Sequence, residues 1–181
     1  PYLYSAFEEY QKTGLPPVRA VVMEYPQDEA ARNLDDEYFF GKDLLVCPLT
    51  LEDGTSREVY LPEGNWYNFF TGEKIEGGRK LVMEADWNEM LVFARDGALV
   101  RVAEPVICVT EDTVFNITVK SFGTNKTGSC VLYEDDFVSF NYESLAAKKQ
   151  INVTVGDNGK FIVSGAKTST KYHFLNCIVK D

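Results

Sequence analysis

The sequence predicts a mainly β protein: a short α/β opening followed by two antiparallel β-sandwich domains. Three observations carry this. Leu3, Ala6, Phe7 and Tyr10 repeat at the i, i+3, i+4, i+7 spacing of an amphipathic helix. Residues 18–25 and 44–49 are continuous apolar runs bounded by Pro or Gly, the pattern of strands buried on both faces. Beyond them, short β-rich runs alternate with turn signals, as in sandwiches and barrels.

Taken in order, the helix is expected over residues 2–13, with Gly14 as its stop and Pro16 and Pro17 forbidding continuation. Residues 18–25 read as a strand, 27–33 as a helical turn, 35–40 as either helix or strand, and 44–49 as a strand. The first sandwich takes strands at 57–61, 66–70, 80–84, 91–94 and 98–102. Glu104-Pro105 is a boundary, and the second sandwich takes 106–110, 115–120, 130–133, 139–142, 151–155, 160–163 and 172–179. Asp157-Asn158-Gly159 has the Asn-Gly of a tight hairpin.

The chain has 181 residues with 45% hydrophobic and 13% aromatic content, which is enough to build packed cores. A formal charge of −10 argues against nucleic acid and anionic membrane as partners, since both carry the same sign. No apolar stretch approaches the roughly 18 residues of a membrane-spanning helix. Cys47, Cys108, Cys130 and Cys177 are far apart with no C-x-x-C, so no zinc site is expected. Cys47, Cys108 and Cys177 lie in apolar runs and read as small buried hydrophobes. Three N-x-T triplets, at Asn116, Asn125 and Asn152, are what chance supplies in a chain rich in Asn and Thr.

The segments VRAVVMEYPQD and DDEYFFGKDLLVCPLT, within residues 18–50, resemble family 31 glycoside hydrolases. In that family this is where the catalytic (β/α)8 barrel ends and its C-terminal β-sandwich begins. REVYLPEGNWYNFFTGEKIEGGR and LVFARDGALV continue the resemblance. It implies that residues 1–43 are the last helix and strand of the barrel. Residues 44–103 would be the proximal C-terminal sandwich and 104–181 the distal one, the chain being part of a longer protein. The parent would be a retaining α-glucosidase or α-xylosidase acting on α-linked oligosaccharide in carbohydrate metabolism, with no cofactor. This chain would buttress the upstream barrel without catalysing anything. The alternative is a free-standing carbohydrate-binding or structural β-sandwich module.

Retaining glycosidases need two carboxyl groups facing one sugar. Asp86-Trp87-Asn88-Glu89 echoes the family's nucleophile segment but follows the barrel-ending stretch instead of preceding it. It is read as a loop, so the chain holds no catalytic pair. Glu24 ends the expected barrel strand and is a candidate positioning group, with pairing to Arg19 as the plainer role. Trp66, Tyr67, Phe69 and Phe70 form an aromatic cluster. Trp66 and Tyr67 are the sugar-stacking candidates, against the expectation that strand alternation puts at least one pair in a core. Leu132-Tyr133-Glu134-Asp135-Asp136 resembles a signature of the family's distal domain, with Phe137 in place of its Gly. Glu134, Asp135 and Asp136 could offer oxygen to calcium, but the spacing of a calcium loop is missing and a solvated acidic turn is expected. His173 has no partner motif for a triad.

Overall fold

The computed structural model describes residues 1–50, 55–85, 88–123, 128–135, 140, 149–155, 161–164 and 169–180. Helix α1 (Tyr2–Thr13) forms where the apolar spacing places it, and Gly14 closes it at φ 78°, its N–H donating to the Tyr10 carbonyl. The expected strand over 18–25 is cut short. Val18–Ala20 is strand β1, and Val21–Glu24 turns into one helical turn, α2, before Pro26. A 3-10 turn follows at Ala30–Asn33, opened by Asp28, whose carboxylate accepts the Ala30 N–H at 3.0 Å. Strands β2 (Tyr38–Phe40) and β3 (Leu44–Cys47) complete the opening.

The proximal unit adds β4 (Ser56–Leu61), β5 (Asn65–Asn68), β6 (Lys74–Glu76), β7 (Arg79–Glu84) and β8 (Leu91–Arg95). Six strands form one antiparallel sheet in the order β1-β2-β3-β8-β5-β6, and β4 pairs with β7 as a separate ribbon. Strands β1 and β2 are therefore continuous with the proximal sheet, Val18 facing Phe40 in register, and the expected division at residue 43 falls inside that sheet. Val18 and Ala20 are exposed while Arg19 is buried, so β1 is an edge strand and is not buried on both faces.

Strand β9 (Leu99–Ala103), expected in the proximal unit, pairs instead with β10 (Phe115–Phe122) in the sheet β14-β10-β9. Strands β11 (Gly128–Glu134), β12 (Lys149–Val155) and β13 (Phe161–Ser164) form the facing sheet, and β14 (Tyr172–Lys180) returns to pair with β10. That last pair is parallel, the remaining pairs antiparallel, because the chain from β10 crosses through the second sheet before coming back. Residues 106–110 form no strand: Val106, Ile107, Cys108 and Val109 are exposed, which corrects the reading of Cys108 as a buried thiol. The expected strand at 139–142 and the turn at 157–159 extend beyond the described residues.

Among the described residues, three cores hold this together. The first packs Phe39, Leu45, Cys47, Trp66 and Phe93 of the central sheet against Val59 and Leu61 of β4 and Val21 of α2. The second packs the sheet's other face, Leu44, Val46, Tyr67 and Ala94, against Tyr2 of α1, Val100 of β9 and Phe122 of β10. The third lies inside the distal unit, around Ile117, Val119, Leu132 and Tyr172. Strand alternation sends Trp66 into the first core and its neighbour Tyr67 into the second. The Trp66 indole N–H donates to the Pro62 carbonyl at 2.8 Å, with Gly77 packed over both. A Cβ on Gly77 would collide with that carbonyl oxygen and fall 2.8 Å from the indole nitrogen.

Trp66→Ala should destabilise the chain by about 3–5 kcal/mol through the cavity it leaves. Gly77→Ala should lower the thermal midpoint and release the Trp66 hydrogen bond, seen as a shift in tryptophan fluorescence. An unchanged melting curve for both would contradict this packing.

Candidate functional site

Helix α1 is held to the sandwiches by its less apolar face. The Tyr2 hydroxyl donates to the Phe40 carbonyl at 3.0 Å and accepts the Asp43 N–H at 3.1 Å. Its ring lies where a side chain on Gly41 would stand, and Gly41 adopts a φ of 63°. Tyr4 donates to both Asp135 oxygens at 2.7 Å, and Ser5 Oγ accepts the Tyr133 N–H at 3.1 Å. One helix thus binds the β2–β3 turn and the distal strand β11 together. The expected apolar stripe is split: Ala6 is buried, while Leu3, Phe7 and Tyr10 are 41%, 50% and 47% exposed. Nothing in the local sequence marks Tyr2 as an anchor, because its partners are 38 and 41 residues away.

Glu24 ends the helical turn α2, not a strand, and is clamped between two cations. Arg19 reaches one carboxylate oxygen at 3.0 Å and Arg95 the other at 3.2 Å. Arg95 also lies over the rings of Phe39 and Tyr25, at 4.8 and 5.7 Å from their centres. The Arg19 pairing was legible, but Arg95 had no signal in sequence, being 71 residues away. Beside this clamp opens a shallow cleft of about 850 Å³, bordered by Glu24, Tyr25, Asp28, Tyr60, Glu63 and Glu76. Asp28 accepts the Tyr60 hydroxyl at 2.6 Å; burial, and then this bond, push that phenol up to about 12.

The other candidates are placed differently from their simplest readings. Trp66 and Tyr67 are fully buried, so neither can stack on a sugar. In the nucleophile echo, Asp86 and Trp87 lie outside the described residues, while Asn88 and Glu89 are exposed just before β8. Glu134 is buried and not solvated. It accepts from the Ser169 hydroxyl and from the Thr170 N–H at 3.1 Å, because β11 ends beneath the segment leading into β14. Asp135 is engaged by Tyr4, and Asp136 lies outside the described residues. Among the described residues no group of carboxylates, thiols or imidazoles converges as a metal site.

A further buried cluster had no sequence signal. Arg57 sits in the proximal core rim and donates to the Asp36 carboxylate at 2.7 Å, the Asp36 carbonyl at 3.0 Å and the Pro48 carbonyl at 2.5 Å. Its Nη2 also lies 3.3 Å from Glu37, which accepts the Tyr60 N–H at 2.7 Å. Burial pushes the Glu37 carboxyl up to about 7, the Tyr60 amide and Arg57 pulling back against it.

This architecture is a helix and an edge strand leading into stacked sandwiches. Comparison gives its class: in this chain, residues 14–100 match the C-terminal domain of glycosyl hydrolase family 31. It is 35% identical over 166 residues to alpha-glucosidase 2 of Bacillus thermoamyloliquefaciens, covering 91% of this chain and 21% of that protein. An alpha-xylosidase of Saccharolobus solfataricus is 33% identical over 144 residues, covering 79% and 20%. The family 31 dextranase of Flavobacterium johnsoniae superposes with a TM-score of 0.81 at 32% identity, over 90% of this chain and 20% of that one. The chain therefore spans about a fifth of the length of these relatives.

The Glu37 carboxyl holds its proton more tightly folded than unfolded. Its contribution to stability is full below about pH 4.5, falls as pH rises toward 7 and is absent above. Thermal midpoints measured from pH 5 to pH 8 should decline more steeply for the unmodified chain than for Glu37→Gln. Parallel curves would remove Glu37 as a titrating group.

Proposed function

We propose that this chain is the non-catalytic C-terminal part of a retaining α-glycosidase, an α-glucosidase or α-xylosidase, and that it buttresses a catalytic barrel lying upstream in the same protein. The observation that carries this reading is the two-faced helix α1. Its inner face is committed to the sandwiches through Tyr2, Tyr4 and Ser5, while Leu3, Phe7 and Tyr10 turn an apolar stripe outward. Val18 of β1 and Met23 of α2 are also exposed, so the first 25 residues present five large apolar side chains to the surface. Exposed apolar surface of this kind marks a site of association.

Two further features support the reading. Glu24 is neutralised by Arg19 and Arg95, which suits a structural strut better than an acid or nucleophile. The named relatives are an alpha-glucosidase, an alpha-xylosidase and a dextranase of family 31. A free-standing carbohydrate module built on Trp66 and Tyr67 is disfavoured by the burial of both rings.

The test is an assay of the full-length protein on aryl α-glucoside and aryl α-xyloside, beside residues 1–181 alone. Cleavage by the former and none by the latter is expected. Phe7→Asp should destabilise the full-length protein by about 1–3 kcal/mol, as loss of one buried apolar side chain does. It should leave the melting of residues 1–181 nearly unchanged. Equal effects in both, or hydrolysis by the short chain, would overturn the proposal.

A further inference from the structure

The aromatic cluster of β5 ends in a side chain that no core uses. Trp66 and Tyr67 are buried and Phe69 is half-buried, but Phe70 is 56% exposed. Its ring is nevertheless held in place. Phe69 meets it edge-on at 5.2 Å and 86°, and Phe69 is itself backed by Phe122 at 5.7 Å and capped by the Lys120 ammonium at 4.2 Å. The backbone beneath is pinned as well. Asn68 Oδ1 accepts the N–H groups of Phe70 and Thr71 at 2.9 and 3.0 Å, and the Lys180 ammonium donates to the Phe70 carbonyl at 3.3 Å. An exposed ring that is already ordered can bind a ligand without the entropy cost of being fixed.

Phe70 forms part of the wall of a groove of about 530 Å³ between the β5–β6 turn, β7 and the segment entering β8. Val82 and Met90 add exposed apolar surface. Around them stand the exposed side chains of Glu73, Glu84, Asn88 and Glu89. Among the described residues no Lys or Arg lines the groove.

This combination selects its ligand. Three carboxylates repel an anion. They also disfavour an apolar protein contact, which would desolvate them without a partner cation, and charged residues are depleted from interface cores. The groove is of small-molecule size. A pyranose meets both halves of it: its axial C–H face lies on an aromatic ring, and its hydroxyls donate to carboxylates and amide oxygens. We infer that the Phe70 groove is a binding site for an α-linked gluco-oligosaccharide. The choice of sugar rests on the α-glycosidase reading above; the groove chemistry calls only for a neutral pyranose.

The test is affinity electrophoresis of the full-length protein through gels containing dextran, soluble starch or no glycan. The unmodified protein should be retarded by at least one glycan. Phe70→Ala should weaken that retention by about five- to tenfold, the worth of one ring contact, and Phe70→Trp should restore it. Equal retention of the unmodified and Phe70→Ala proteins, or no retention of either, overturns the inference. So does Phe70→Trp failing to restore retention, or Phe70→Ala lowering the thermal midpoint by many degrees, since the groove would then be an internal contact. Binding of a lysine-rich peptide in place of glycan, lost with Phe70→Ala, also overturns it. If the protein is retarded through Phe70 but cleaves no α-glycoside, the groove stands and the enzyme reading falls. If it cleaves but is not retarded, the groove alone falls.

Discussion

A single sheet covered on both faces is the constraint from which the rest of this structure follows. Strand β3 (Leu44–Cys47) lies inside that sheet with all four residues buried, two toward the β4–β7 ribbon and two toward α1 and the distal unit. Burying both faces of a strand requires cover from both sides, and here the two covers are built from different elements. The proximal ribbon supplies one. The other is assembled from the N-terminal helix and from β9 and β10, which belong to the distal unit. The two sandwiches are therefore not independent beads: Val100 and Phe122 of the distal sheet are part of a core whose other half is proximal.

That shared core explains why the chemistry-bearing residues are structural. In β5 the pleat sends successive aromatics to opposite faces, and since both faces are covered, Trp66 and Tyr67 are both consumed. Only where the strand gives way to its turn does an aromatic, Phe70, escape. The charged residues follow the same logic. Arg19, Arg57 and Arg101 are all buried, each meeting carbonyl oxygens, carboxylates or an aromatic ring, because a covered sheet leaves little solvent to satisfy them. Glu134 and Glu24 are similarly spent on holding segments together.

Helix α1 is the element where fold and function meet. Its docking residues are polar-tipped aromatics and a serine, which suit a contact closed by specific hydrogen bonds, and they grip both sandwiches at once. Leu3, Phe7 and Tyr10 are left for a second surface. On the buttressing role proposed above, α1 would be a spacer between two bodies; the chain spans about a fifth of the length of these relatives. The Phe70 groove lies on strands of the proximal unit, among carboxylates that an apolar interface would leave unpaired.

The sequence by itself determined the mainly β class, the helix over residues 2–13 with its Gly14 stop, the strand cores around Leu44–Cys47 and Leu91–Arg95, and the family resemblance. These are local facts: periodicity, turn residues and short-range propensity act within a few residues. It could not determine that Val21–Glu24 turns helical, that β9 joins the distal sheet, or that Leu3, Phe7 and Tyr10 of α1 face away from the sandwiches. Nor could it show that Glu134 is buried, that Glu37 and Arg57 share one pocket, or that Arg95 completes the Glu24 clamp. The last three depend on partners 20 to 71 residues away, and an amphipathic pattern says only that a face wants covering. Which element covers it, and which polar group is left inside with which partner, is decided when the sheets stack.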